Sequence, residues 1–224
     1  NGINGLTVSL VQQDGTQQPM GVLPPPRSPS ETVCMDLDPL GRWLAISYPS
    51  HNPTVENLQG GTASSILEIL KLPNLQPICK KSIDGLVKHL WASSSHHVLV
   101  DCSSSAILPD GTEKLQPLQL WNRRGQFHWS YCFPAKIQQA VLSPIKQNRL
   151  FAIADEDLPT GLLIDLCPFK VKRIPLGIRA DWMSATHWGY ILVNREGRIA
   201  CLNRRGRVMA QAELPLQGGG KITA

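Results

Sequence analysis

The chain has 224 residues, 42% of them apolar and only 17% charged, with 18 Gly and 18 Pro. That length and apolar share exclude dominant disorder, and the turn residues favour many short strands over long helices, which would call for more Ala, Glu and Lys. The net charge of +5 suits anionic partners in general, but it is spread along the chain and does not single out a nucleic-acid binder.

No stretch approaches the roughly 18–20 uninterrupted apolar residues of a membrane-spanning helix, so a soluble, cytoplasmic protein is expected. Cysteines 34, 79, 102, 132, 167 and 201 form no CxxC pair, and most lie in apolar runs such as Ile199-Ala200-Cys201-Leu202. They read as reduced core residues, and no disulfide is expected.

In chain order, Leu6 to Val11, Asp14-Gly15 and Pro19 to Leu23 read as the closing hairpin of a preceding repeat, within residues 1–24. A full unit follows in residues 31–83. Thr32 to Leu37 leads through the turn Asp38-Pro39-Leu40-Gly41 into Trp43 to Ile46, then Ile66 to Leu70, ending near Cys79. The second unit, 86–133, opens on Leu86 to Trp91, continues through Val98-Leu99-Val100, and closes on Leu118 to Trp121 and Phe127 to Tyr131. In the last of these segments aromatic and polar residues alternate, as a half-buried strand requires.

The third unit, 136–176, runs Ile137 to Leu142, Leu150 to Ile153, Leu162 to Ile164 and Val171 to Ile174, with Ser143-Pro144 at its first turn. The fourth, 179–215, runs Ala180 to Met183, Tyr190 to Val193, Ile199 to Leu202 and Val208 to Ala210. Residues 221–224 read as the start of a further or closing repeat unit. Two closing hairpins echo each other, Trp121-Asn122-Arg123-Arg124-Gly125 and Leu202-Asn203-Arg204-Arg205-Gly206, each with Gly where a left-handed residue suits the turn.

The segments Pro39-Leu40-Gly41-Arg42-Trp43-Leu44-Ala45 and Leu118-Gln119-Leu120-Trp121-Asn122 resemble the S-P-D-G-x-x-L-A and I-x-L-W-D segments of WD-repeat propellers. The family's Gly-His pair is missing, and its Trp-Asp is replaced by Trp121-Asn122, Asp165-Leu166 and Leu202-Asn203. The resemblance implies an all-β β-propeller of four-stranded antiparallel blades, at least four of them around an axis, as a partial ring or a fragment. It also implies a protein–protein interaction scaffold, not an enzyme, working within a longer chain or larger complex. The physical logic agrees, since a blade buries its two apolar faces only between neighbours.

In such propellers the connections between second and third strands share one face with the links between blades. Here two of them are long. Residues 48–65, with Tyr48, His51, Asn52 and Glu56, and residues 101–117, with Asp101, Leu108, Asp110 and Lys114, are the candidate surface for a protein partner. The alternative is an anion-directed module, for nucleic acid, lipid head groups or an acidic partner, built on Arg123, Arg124, Arg204, Arg205 and Arg207 at hairpin tips that the resemblance places on the opposite face.

A metal-assisted propeller hydrolase is a third reading, and it would need carboxylates or histidines from several blades to converge. The acidic run Asp155-Glu156-Asp157 reads as a solvated loop, and His96-His97 as neighbours at a turn whose side chains diverge. Gly218-Gly219-Gly220-Lys221 lacks Walker spacing. No catalytic residue, metal or cofactor is assigned.

Overall fold

Short apolar runs bounded by turn residues can satisfy their backbone groups only by pairing with neighbouring runs, and in the computed structural model they do so in antiparallel ladders throughout. The structure describes residues 6–11, 14–23, 33–50, 64–102, 106–107, 113–114, 117–133, 135, 137–144 and 148–215. Every regular element among them is a strand, and no helix there is long and apolar enough to cross a membrane.

The chain divides into two compact units, Asn1–Cys132 and Phe133–Ala224. In the first, β1 (Leu6–Val11) pairs with β2 (Gln17–Leu23). Then β3 (Cys34–Leu37), β4 (Trp43–Pro49), β5 (Ser64–Lys71) and β6 (Gln76–Asp84) form a four-stranded sheet in chain order. The next sheet joins β7 (His89–Ala92), β8 (His97–Asp101), β11 (Leu118–Asn122) and β12 (Phe127–Tyr131). Between its second and third strands lies a small hairpin, β9 (Ala106–Ile107) with β10 (Glu113–Lys114).

The second unit holds two sheets, each in chain order. One is β13 (Ile137–Leu142), β14 (Arg149–Ala154), β15 (Thr160–Leu166) and β16 (Phe169–Pro175); the other is β17 (Trp182–Ala185), β18 (Gly189–Val193), β19 (Arg198–Asn203) and β20 (Val208–Glu213). Four four-stranded antiparallel sheets are thus present, as the repeat reading expects.

Stacked sheet faces make the core. Trp43, Ala45, Leu67, Ile69 and Ile83 of the first sheet pack in one cluster with Leu90, Ala92, Val98 and Val100 of the second. In the other unit Phe151, Ile153, Leu163 and Ile174 of the third sheet pack with Tyr190, Leu192, Ala200 and Leu202 of the fourth. The rings of Phe151 and Tyr190 meet with centroids 4.4 Å apart.

Several elements differ from the sequence reading. Strand β7 starts at His89, not Leu86: Val87 N–H donates to Ser65 Oγ of the preceding sheet (3.1 Å), and the ladder to β8 opens with Lys88 N–H on the Asp101 carbonyl (2.9 Å). Strand β17 is likewise offset to Trp182–Ala185, and β6 runs on to Asp84 through the polar stretch Lys80-Lys81-Ser82, which hides an outer strand from a hydrophobicity count. The long connection after Asp101 carries the β9–β10 hairpin and so is not without secondary structure of its own.

Candidate functional site

The arginine candidates sit on or beside hairpin turns, so the turns come first. Five connections share one construction. An Asp, Ser or Asn opens the turn, its carbonyl accepts from the N–H three residues on, and that fourth residue takes a left-handed backbone. At Asn122 the carbonyl accepts from Gly125 N–H (2.9 Å), while the side-chain oxygen accepts from Arg124 N–H (2.9 Å) and Gln126 N–H (3.1 Å). Asn203 repeats this with Gly206 (2.8 Å), Arg205 (2.9 Å) and Arg207 (3.0 Å), and Asn194 with Gly197 (3.1 Å), Glu196 (3.1 Å) and Arg198 (2.8 Å).

Asp38 bonds Gly41 N–H (2.6 Å) and Arg42 N–H (3.2 Å), and Ser93 bonds His96 N–H (3.0 Å) and Ser95 N–H (3.2 Å). The left-handed positions are Gly41 (φ 64°), His96 (φ 66°), Gly125 (φ 75°), Gly197 (φ 84°) and Gly206 (φ 74°). Two of these glycines also serve packing. A Cβ on Gly125 would lie 2.3 Å from Cys79 Sγ, and one on Gly206 would lie 1.9 Å from Ile174 Cδ1, so each tip seats against the outer strand of the preceding sheet.

The arginine tips therefore rest on rigid turns. In the first unit Arg123 and Arg124 flank a shallow depression lined also by His96, Asn122 and Gln126. In the second, Arg205 joins Arg149, Lys170 and Lys172 around a depression whose one acidic group is Asp165. Arg149 is committed to Asp165 and donates from Nη1 to the Arg204 carbonyl (3.1 Å); Arg204 donates from Nε to the His187 carbonyl (2.8 Å). Arg207 is exposed beyond the same tip.

The proposed partner surface is only partly described. His51, Asn52, Glu56, Leu108 and Asp110 lie outside the described residues, and Lys114 falls in β10. Tyr48 is half-buried; its hydroxyl donates to Glu68 Oε2 (3.0 Å) and the Lys80 ammonium stands 5.7 Å from its ring centre. Asp101 is buried, with Oδ2 3.1 Å from His89 Nδ1, so its carboxylate acts within the second sheet. Of the acidic run, Glu156 pairs with Arg173, and Asp155 accepts from Gln138 Nε2 (2.9 Å). Among the described residues no three His, Cys, Asp or Glu stand where they could hold a metal ion.

Sequence reasoning missed His96 as a strained residue beside the arginines, and it missed Lys170 and Lys172. Only alignment of the five turns on one another shows that His96 occupies a glycine position.

These sheets are blades of a WD40-type β-propeller fold, and the WD-repeat resemblance in the sequence agrees with the structure. The chain is similar to the crystal structure of the Myceliophteria thermophila Cps50 (Swd1) β-propeller domain, with a TM-score of 0.56 and 16% identity over 87% of this chain and 58% of that one. It is similar to a segment of HIRA (TM-score 0.53, 13% identity, 84% of this chain, 54% of that one). A third likeness is to the Neurospora crassa Pan2 WD40 domain (0.52, 11%, 80% and 49%). The chain spans about half to three-fifths of the length of these structures, and the likeness shows the fold. No protein-family model and no curated protein matches the sequence.

Proposed function

We propose that the chain is a protein-interaction module that works in the cytoplasm through its loops and turns rather than by catalysis. The observation carrying this reading is the likeness to WD40 propeller domains, whose four-stranded blades this chain repeats. The apolar residues of those blades are largely spent on stacking, which leaves turns and connections as the surface for recognition. We assign the partner surface to residues 48–65 and 101–117, with Tyr48, His51, Asn52, Glu56, Leu108, Asp110 and Lys114 as its contacting side chains.

The test is to identify a partner by cross-linking to the tagged full chain, reconstitute the complex from purified proteins, and shorten both connections to Gly-containing turns. Folding should persist, because loop length changes closure entropy little. Binding should be lost. If the purified complex forms unchanged with both connections shortened, the surface assignment is wrong.

A second reading is favoured by one specific observation. Arg123 and Arg124 meet no carboxylate among the described residues, whereas Arg42, Arg173, Arg195 and Arg198 each do. Unpaired guanidinium groups on a rigid turn suit an anionic ligand. Arg204, Arg205 and Arg207 offer the same chemistry in the second unit. Loss of affinity with rising salt, steeper than for an uncharged contact, would support this reading.

A further inference from the structure

Four of the five related turns place glycine at the left-handed position, and the fifth places His96 there. A side chain at φ 66° carries strain that glycine avoids, although His tolerates the region better than most residues. Its ring does not offset that strain from within, because His96 Nδ1 is buried without a hydrogen-bond partner. A strained residue whose half-exposed ring finds no partner for Nδ1 inside the fold leaves its solvent-facing edge for a task outside it.

The surroundings define the task. His96 lines the depression with Asn122, Arg123, Arg124 and Gln126, and no carboxylate is among them. The Arg123 N–H donates to the His96 carbonyl (2.9 Å), fixing the β7–β8 and β11–β12 turns side by side. Arg42 stands near but is occupied, with Nε on Asp38 (2.7 Å) and Nη2 on the Ser94 carbonyl (2.8 Å). The charge of Arg123 and Arg124 is left for a ligand.

We propose that this depression binds a tetrahedral oxyanion, the phosphate of a phosphorylated side chain on a protein partner, with the Arg123 and Arg124 guanidinium groups and the His96 imidazole as its donors. The proposal rests on the anion-directed reading above and gives it a ligand. Three donor arms match the three free oxygens of a phosphate ester better than the two of a carboxylate. The site spans only two adjacent turns, which suits a single group rather than the repeated contacts of a nucleic-acid backbone.

Burial and the charges of Arg123 and Arg42 hold the His96 pKa below its ordinary value, with Asp38 opposing them. His97, next in the chain and ring-to-ring with His128 at 5.1 Å, adds charge of the same sign when protonated. A bound dianion acts the other way, so proton uptake by His96 and anion binding reinforce each other. Affinity therefore rises as pH falls.

The test uses the full ¹⁵N-labelled chain titrated with inorganic sulfate, whose charge stays constant through the histidine range, at about pH 5.5 and about pH 7.5. We expect amide shifts centred on His96 and Arg123 to Gln126, with affinity about fivefold or more higher at the lower pH. His96→Gly should melt higher than the parent, which proves it folded, yet lose most of the affinity and most of its pH dependence, the remainder coming from His97. Arg123→Gln with Arg124→Gln should keep the parental melting temperature and lose binding. A phosphoserine peptide should bind more tightly than inorganic phosphate and than the same peptide carrying Ser or Glu.

No sulfate binding at any arginine turn would overturn the anion-directed reading and this proposal together. Sulfate binding that is indifferent to His96→Gly would overturn the proposal alone. A single-stranded oligonucleotide binding this site more tightly than the phosphopeptide would overturn the partner class.

Discussion

At the scale of single residues, the folding cost and the functional value of a side chain separate most clearly at His96. Left-handed backbone costs an ordinary residue about 1–2 kcal/mol, and His sits at the lenient end of that penalty, so His96→Gly should stabilise the protein by about 1 kcal/mol, read from denaturant unfolding. The gain depends on pH with a definite sign. The folded-state pKa of His96 is depressed, so below the unfolded value near 6.5 the unfolded chain binds the proton more readily and the parent loses stability as pH falls. The Gly variant has no such group, and its advantage should widen between about pH 7 and about pH 5. A constant difference would show that the imidazole is not what the fold excludes from protonation. Cysteine chemistry is set at the same scale. Burial, with Asp101 and Asp84 adding charge repulsion, pushes the Cys102 thiol up to about 12, and burial raises Cys79, while Cys132 is exposed. Under native conditions a thiol alkylator should label Cys132 and leave Cys102 and Cys79 unmodified until the chain unfolds, as peptide mass spectrometry would show.

At the scale of elements, inner strands announce themselves, whereas outer strands do so unevenly: β12 shows its aromatic and polar alternation, and β6 and β20 do not. β4, β8 and β14 are apolar almost throughout, because each lies between two strands with both faces buried, and this pattern made them legible in the sequence. β6 and β20 are largely exposed, so Lys80-Lys81-Ser82 and Gln211 carry no periodic signal and the outer boundaries were missed. The echoing arginine hairpins were read correctly as turns with left-handed glycines, since Gly is the chemical cue. His96 in the same role was not, because a His in sequence says nothing about φ. The shared turn separates two kinds of cost. Asn203→Ala removes the acceptor for two N–H groups at an exposed tip, where water can replace it, and should cost about 1 kcal/mol. Gly206→Ala adds left-handed strain to a Cβ placed against Ile174, and should cost more, about 2–4 kcal/mol. Equal losses for the two variants in urea unfolding would mean that the tip yields freely and does not seat in the neighbouring sheet.

At the scale of the molecule, each unit is built by stacking one sheet on another, and the fourth sheet shows how far that stacking has gone. Paired register places Tyr190 with Leu202 and Leu192 with Ala200 on one face, and all four are buried against the third sheet. The same register places Ile191 with Cys201 and Val193 with Ile199 on the opposite face, and these four are only half-buried. Both faces read as equally apolar in the sequence, because an interior blade needs apolar residues on both, so sequence patterning shows the repeat but not which faces a given stretch of chain covers. Packing energy follows contacts made, and a side chain with solvent on one side loses fewer of them on truncation. Leu202→Ala should therefore cost about 3 kcal/mol, with a cavity formed against the Phe151 and Tyr190 layer, whereas Ile199→Ala should cost about 1 kcal/mol. Urea unfolding of the two variants at equal concentration measures the difference. If Ile199→Ala proves as costly as Leu202→Ala, the half-open face is covered in solution.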